Sequence, residues 1–473
     1  MLTDTNFLNA GNPWPPPEEM ERITLYRENR RLFEGEHDKV FKDWVRLLRD
    51  DQQATLEIIL NWPRRLSTLF ADLLLGEQPQ MEAGDEGSKE QEMLDRLVAS
   101  NNLFNSAYEV ALDVSRYGVG LFKVRLEKQA IIEPQTPLVW FPVVQADNVK
   151  SVQAHVLGWE YEQDEATWRG VKTNKYLKLE IHEKGRITTR THTIANGNIA
   201  GIIDETVVLT GVDDFLIVPV YNLSTSDRLT GLDDYSDLDT ILQELEIRVA
   251  QISRILDKHA DPNLYGPESA LEFDHKTGQW SFRGGGKYFP VGQGEQAPQY
   301  VTWEGQLDAA FNEIEMLTEQ LYIMSETSAA AFGQLKSGLA ESGTALRRLM
   351  IAPLAKTNRI RLRFDPALKK AISLAAALEV YHRVRGAVKL EDINITWQDG
   401  LPDDDMEKTQ IEATRYAAGL TSLESALMRL DGLGGEALQS EIERIKAEQT
   451  GDQGAPIIKL PDLEDEGNAG RED

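Results

Sequence analysis

The chain has no cysteine. Disulfides and thiolate metal sites are therefore excluded, and a reducing cytosol suits it. No uninterrupted apolar run is long enough to cross a bilayer, and no signal-peptide core opens the sequence. A soluble protein made in the cytoplasm, with no membrane partner, is expected. Positive charge is scarce: 50 Lys and Arg stand against 78 Asp and Glu, a formal net charge of −28. That balance argues against a general nucleic-acid binder, which presents broad basic surface. It still allows local basic contacts between acidic walls.

Catalytic signatures are also missing. Gly284-Gly285-Gly286-Lys287 is followed by Tyr288, so it is not a phosphate loop. His182-Glu183 leads to Arg186 where a zincin would carry a second histidine. No Gly-x-Ser-x-Gly elbow occurs, and the seven histidines do not cluster. Asp233, Asp234, Asp237 and Asp239 gather at a helix start, as do Asp403, Asp404 and Asp405. Carboxylates there cap free N–H groups and meet the positive end of the helix dipole, so capping is favoured over metal binding. Neither an enzyme nor a cofactor is expected.

What is present divides into zones. With 473 residues, 41% of them hydrophobic, more than one domain is expected. Residues 1–18 hold Gly11-Asn12-Pro13-Trp14-Pro15-Pro16-Pro17 and are read as a flexible, extended arm. Leu66, Leu69, Phe70, Leu73 and Leu74 recur at helical spacing behind Pro63, and Glu92 to Arg116 reads as one further helix. From Gly118 the period changes to two. Strands are expected at 120–126, 138–143, 152–160, 175–182, 187–194, 207–209 and 215–220. Residues 19–230 thus read as an α+β domain, helices first and a mostly antiparallel sheet after. Val388 to Trp397 reads as one strand returning to that sheet.

Two helices follow the sheet. Leu238, Leu242, Leu245, Val249, Ile252 and Leu256 mark the first; Leu307, Phe311, Ile314, Leu317, Leu321 and Met324 mark the second. Both stripes run near a 3.5-residue period, which suits packing against another helix. The first spans about 25 residues, roughly 37 Å at 1.5 Å per residue. Asp261-Pro262 stops it. The insert before the second helix is far longer than a hairpin loop and carries its own apolar pattern at Leu271, Phe273, Trp280, Phe282 and Tyr288 to Val291. It reads as a small β module on two struts. Ser328 to Gly343 is rich in small residues and reads as a loop with freedom to move. Thr344 to Arg385 is a long helical pattern interrupted at Pro353 and Pro366, so a kinked helix or two helices are expected. Asp403 to Ala447 is helical with breaks at Gly419 and Gly432 to Gly435, and the tail from Gly451 reads as disordered.

Charge is segregated along these zones. Glu341 to Arg385 holds ten basic residues, Arg347, Arg348, Lys356 and Arg359 among them, against three acidic ones, a local +7 in a chain of −28. Glu304 to Ser328 holds six acidic residues and no Lys or Arg. Solvated surface, neutralisation by acidic neighbours in the same protein, salt bridges to a partner subunit and phosphate contact are the readings of the basic helix, and arginine suits the last two.

The order of parts resembles the portal proteins of tailed bacteriophages, in particular the siphovirus type of Bacillus phages. Tyr26 to His37, Gly231-Leu232-Asp233-Asp234, Asp257 to Pro262, Tyr288-Phe289-Pro290-Val291, Tyr300-Val301-Thr302-Trp303 and Ser342 to Leu346 carry the resemblance. It covers nearly the whole chain, from Tyr26 to Gln449, and rests on order and spacing rather than one motif. The resemblance implies a dodecameric ring at one capsid vertex that conducts double-stranded DNA during packaging and ejection. It implies a wing at 19–230 with 388–398, stem helices at 231–261 and 304–328, and a clip at 262–303. A tunnel loop would lie at 329–343, a long channel helix at 344–387, a crown at 399–449 and an acidic tail at 450–473. The clip, with Trp280, Phe282, Arg283 and Lys287, would dock the large terminase subunit and later the head-completion proteins. Scaffold and major capsid proteins are the other implied partners, and the virion, assembled in the bacterial cytoplasm, is the implied location. ATP hydrolysis would belong to the motor. Gln334, Leu335 and Lys336 are the loop residues expected to face DNA, and the basics of the channel helix would meet DNA or a neighbouring subunit. A non-conducting assembly scaffold is the alternative, and a Mg²⁺ nuclease built on the acidic clusters ranks below it.

Overall fold

The computed structural model describes all residues except 42–57, 86, 168–169, 261–263, 266–270, 275–278, 283–293, 295–298, 301–306, 335–342, 399–404, 433 and 452–473. Two compact units emerge: residues 1–335 with 348–400, and residues 336–347 with 401–473.

The first unit begins with helix α1 (Met20–Glu34), followed by α2 (Trp62–Leu75). Asn61 opens α2 by accepting the Arg64 N–H at 3.1 Å, and Pro63 sits in the first turn, where its missing N–H costs nothing. Where one helix was expected from Glu92 to Arg116, two occur: α3 (Lys89–Ser100) and α4 (Leu103–Tyr117). The break falls at Asn101-Asn102, with Asn102 in the left-handed region at φ 44°, a conformation asparagine tolerates.

Strand β1 (Gln80–Glu82) lies between α2 and α3. After α4 come β2 (Val119–Leu126), β3 (Ala130–Gln135), β4 (Trp140–Gln145), β5 (Asn148–Thr167), β6 (Gly170–Glu183), β7 (Arg186–Ala195), β8 (Asn198–Leu209) and β9 (Ile217–Tyr221). They form a three-stranded sheet in the order β3-β2-β9 and a five-stranded antiparallel sheet in sequence order, β4 to β8. The period-two reading therefore finds most of these strands, misses β1, β3 and the first half of β8, and takes two sheets for one.

Residues 1–18 do not form the flexible arm read from composition. Leu2 bridges Val143 of β4, one edge strand of the large sheet. Gly11 N–H donates to Ile199 O at 2.8 Å and Trp14 N–H to Gly197 O at 2.9 Å, on the opposite edge strand. In between, Leu2, Leu8 and Trp14 are buried in one core with Phe141, Val156, Leu177 and Leu179. The segment is a strap across one sheet face. Trp14 lies over Gly158, where any Cβ would collide with the indole. The proline run fixes an extended backbone, and the side chains between the prolines supply the apolar area that holds it down.

The two helices after the sheet are α5 (Asp239–Ala260) and α6 (Leu307–Met324). Leu238, just before the first, and Leu242 and Leu245 on it join Leu321 of the second in a core with Leu32, Leu66 and Tyr235. The apolar stripe is thus buried where these leucines meet, while Leu256 and Phe311 farther along the pair, and Met324 at the end of α6, are about half exposed. In the insert, β10 (Leu264–Tyr265) pairs antiparallel with β13 (Gln299–Tyr300), and β11 (Leu271–Asp274) with β12 (Gln279–Phe282). A small β module between two helices is what the sequence pattern predicted.

Next come α7 (Gly343–Leu349) and α8 (Ile351–Tyr381). The break lies at Met350 rather than at either proline. Pro353 falls in the first turn of α8, where no intrahelical donor is lost, and α8 continues through Pro366. α8 packs against α2, α3 and the three-stranded sheet, with Phe364, Leu368, Ile372 and Ala375 in the shared core. The strand expected at Val388 to Trp397 shrinks to β14 (Asn394–Thr396). It pairs with β1, not with the earlier sheet.

The second unit contains α9 (Asp405–Ala417), α10 (Leu423–Asp431) and α11 (Gly435–Gly451). Its breaks fall at the glycines identified in the sequence. Arg429 of α10 grips Glu412 of α9 through two hydrogen bonds of 2.9 and 2.7 Å. Of the tail assigned to disorder, residues 450–451 end α11 and 452–473 lie outside the described residues.

Candidate functional site: the junction of the helix pair with the basic helix

Residues 222–235 lead from β9 to the base of α5 and pass through a buried polar cluster. Asp234 is its centre. It accepts from Asn222 Nδ2 at 2.9 Å and from Ser115 Oγ at 2.7 Å. Lys356 of α8 places Nζ 2.9 Å from Asp234 Oδ1, with both side chains over nine-tenths buried. The ammonium also lies 3.4 Å from Ser325 O, just beyond α6, and 4.1 Å from the centre of the Phe70 ring. Lys356 thus joins α8, α2, the end of α6 and the entry to α5. Ser67 Oγ extends the cluster, 2.8 Å from Ser115 Oγ and 2.6 Å from Tyr235 Oη. Burial pushes the Tyr235 phenol above its ordinary value. A buried pair with this many partners costs little while complete and a great deal when one member is removed.

Two glycines allow the chain to cross here. Gly118, at φ 71°, and Gly231 run backbone against backbone; a Cβ on Gly231 would sit 2.6 Å from Gly118 O. Beside them Asp233 caps the turn before α5. Its Oδ1 accepts the N–H groups of Tyr235 and Ser236 at 2.9 and 2.8 Å, as expected of a capping aspartate.

A second buried pair fastens α5 to the end of α1. His37 Nδ1 lies 2.6 Å from Glu246 Oε1 and its Nε2 lies 2.9 Å from Leu32 O. Both side chains are fully buried, and the Leu60 N–H also reaches Glu246 at 2.9 Å. Nearby, Asp239 is pushed up to about 7 by burial, with Asp233 and Glu28 adding to the effect and His37 opposing it.

The residues singled out in the sequence separate at this junction. Lys356, expected to meet DNA or another subunit, is instead held inside its own subunit. Arg359 is also paired at home, with Glu326. Lys369 with Asp365 and Lys370 with Asp214, at 2.8 and 2.9 Å, neutralise more of the helix. The local +7 is therefore partly internal bookkeeping of α8. Arg347 and Arg348, on α7, are exposed.

Gln334 is exposed as well, its side-chain oxygen 3.3 Å from Tyr322 Oη. The start of the loop is anchored, because Phe332 stacks on Tyr322 and meets Trp62 edge-on, with ring centres 6.0 and 5.2 Å apart. Leu335 and Lys336 lie outside the described residues, as do Arg283 and Lys287. Trp280 and Phe282 stand on β12.

Asn222, Ser115, Ser67, His37 and Glu246 drew no notice as site residues in the sequence. Glu246 gave one signal: a charged residue directly beside a stripe leucine.

A family model for "Phage portal protein, SPP1 Gp6-like" matches residues 16–455. No curated protein matches significantly. Among solved structures, the chain is similar to a subunit in "Neck of empty GTA particle computed with C6 symmetry". That pair is 15% identical, covers 90% of this chain and 96% of that one, and has a TM-score of 0.47. It is also similar to a chain in "Virion of native gene transfer agent (GTA) particle", at 15% identity, the same coverage and a TM-score of 0.43. The match to the family model spans almost the whole chain, both polar junctions included, and portal proteins are structural rather than enzymatic. The chain belongs to the phage portal protein family, SPP1 Gp6-like.

Proposed function

We propose that this portal protein assembles into a closed ring of twelve at one capsid vertex. Its channel carries double-stranded DNA into the capsid and out again. In this reading residues 19–230 are the wing, α5 and α6 the stem, the insert the clip, α8 the long helix behind the tunnel loop, and α9 to α11 the crown. The large terminase subunit and the head-completion proteins dock at the clip. Scaffold and major capsid proteins surround the ring. The subunit is made in the host cytoplasm and ends in the virion.

The observation that carries this reading is the contrast between α6 and α7. Asp308, Glu315 and Glu319 are exposed on α6, and Glu304 to Ser328 has no basic residue. Arg347 and Arg348 are exposed on α7, at the end of the loop. A translocating duplex must not be held tightly, since each strong phosphate contact is a trap. Acidic walls with a few mobile cationic contacts let it slide. Lys336 supplies such a contact from the loop. The test is packaging in particles carrying Lys336→Glu or Arg348→Glu. Reduced DNA packaging or retention with normal ring assembly is expected. Normal packaging and retention in both would remove the proposed role of these residues.

A further inference from the structure

The large sheet ends at β8, and β8 is poorly covered. Among the described residues the strap reaches the start of β8, at residues 197–199. Beyond that point Ile202, Ile203, Val207, Val208 and Leu209 are each at least half exposed. They occupy both faces of the strand, since Val207 stands opposite the buried Thr188 and Val208 opposite Ile187 on the other face. Residues 198–209 contain neither proline nor lysine; the protections of this edge are Asp204, Glu205 and a register shift against β7. A strand apolar on both faces is normally buried on both.

The same sheet has a second unsupported feature. β5 and β6 pair as far as Thr167 and Gly170. β4 covers β5 only to Leu157, and β7 covers β6 only from Lys175 onward. The remainder projects as a two-stranded ribbon, which is marginal without a third strand. Its two edges differ. The β5 edge carries Glu160, Glu162 and Asp164, and would be repelled by Asp204 and Glu205 of β8. The β6 edge from Gly170 to Thr173 holds one lysine and no acid, and its Val171 is 71% exposed.

We propose that the β6 edge of the ribbon, Gly170 to Thr173, docks on the β8 edge, residues 201–209, of the next copy of this chain and continues its sheet across the subunit boundary. The strap shows that the β8 edge accepts an added strand, and the docked ribbon extends that row. β7 separates β6 from β8 within one subunit, so the contact is made between copies. The two patches are different, so the contact is head-to-tail, the kind that closes a ring. The proposal rests on the ring reading above and names one of its contacts.

The chain has no cysteine, which makes the test clean. Val171→Cys is combined in turn with Ile202→Cys, Ile203→Cys, Glu205→Cys, Val207→Cys and Val208→Cys, and rings are oxidised mildly. A disulfide needs Cα atoms within about 7 Å. The expected result is a ladder of covalent multimers on a denaturing gel for at least one pair, and none for any single variant. Rings without a ladder from any pair overturn the docking and leave the ring intact. Dimers from a β8 single variant show edge-to-edge pairing and also overturn it. Failure of the unmodified protein to form rings overturns the ring reading itself. Hydrogen exchange on unmodified rings gives a second measure: at least one amide between 202 and 208 that β7 leaves unpaired should exchange more slowly in rings than in unassembled subunits, and no such difference contradicts the docking.

Discussion

Lys356 and Arg348 belong to one basic stretch of sequence, yet the fold treats them differently. Lys356 is buried on α8, its charge met by Asp234, a carbonyl and an aromatic ring. Arg348 is exposed on α7, two residues before the break at Met350. The first cation fastens helices together; the second remains available to something outside the subunit. Local charge density therefore does not identify a contact surface. What matters is which charges the fold consumes.

That contrast can be broken most forcefully at Lys356. Lys356→Met leaves Asp234 buried without its counter-charge and should cost roughly 3–5 kcal/mol. Chemical denaturation would show it, and Lys356→Met with Asp234→Asn should recover much of the loss. If the single variant were as stable as the native chain, the junction would not be a fastening.

Glu246→Ala comes next. It removes the acceptor shared by His37 and the Leu60 N–H, and a loss of about 1–3 kcal/mol is expected from the orphaned donors. Thermal unfolding would register it. A shift no larger than that of an exposed Glu→Ala control would contradict the role given to this pair.

Asp239 sharpens the comparison through pH. Its folded-state value of about 7 lies above the ordinary carboxylate range, because burial and the neighbouring acids disfavour its charge. The folded form therefore binds a proton that the unfolded chain has already released. The contribution of Asp239 to stability falls as pH rises from about 4 to 7 and is level above that. Asp239→Asn should be more stable than the native protein at pH 8, with the advantage gone near pH 4. An equal advantage at both values would exclude titration of Asp239 as the cause.

The smallest effect on stability belongs to Arg348→Glu, within about 0.5 kcal/mol of the native protein. Circular dichroism melts should overlay, while DNA packaging falls. A large drop in melting temperature would place Arg348 with the buried cations.

The parts legible in the sequence are those with a strong local period. The strands of the large sheet, the stripes of α5 and α6 and the glycine breaks between α9, α10 and α11 all emerged from spacing. Three features were not legible, each because its partner is remote in sequence. The strap holds its place because Trp14 fills the space that Gly158 leaves. Lys356 is consumed by Asp234, and Arg359 by Glu326, which a count along one helix cannot reveal. β14 pairs with β1 because α8 and the short chain after it return to that place, whereas the sequence reading assigns it to the earlier sheet. Leu335, Lys336, Arg283 and Lys287 lie outside the described residues, and their roles rest on the proposal.

The central claim is that this subunit forms a ring around an open channel. Negative-stain electron microscopy of the purified protein tests it most directly. The account predicts end-on rings with a central hole. Compact particles without a pore would contradict it.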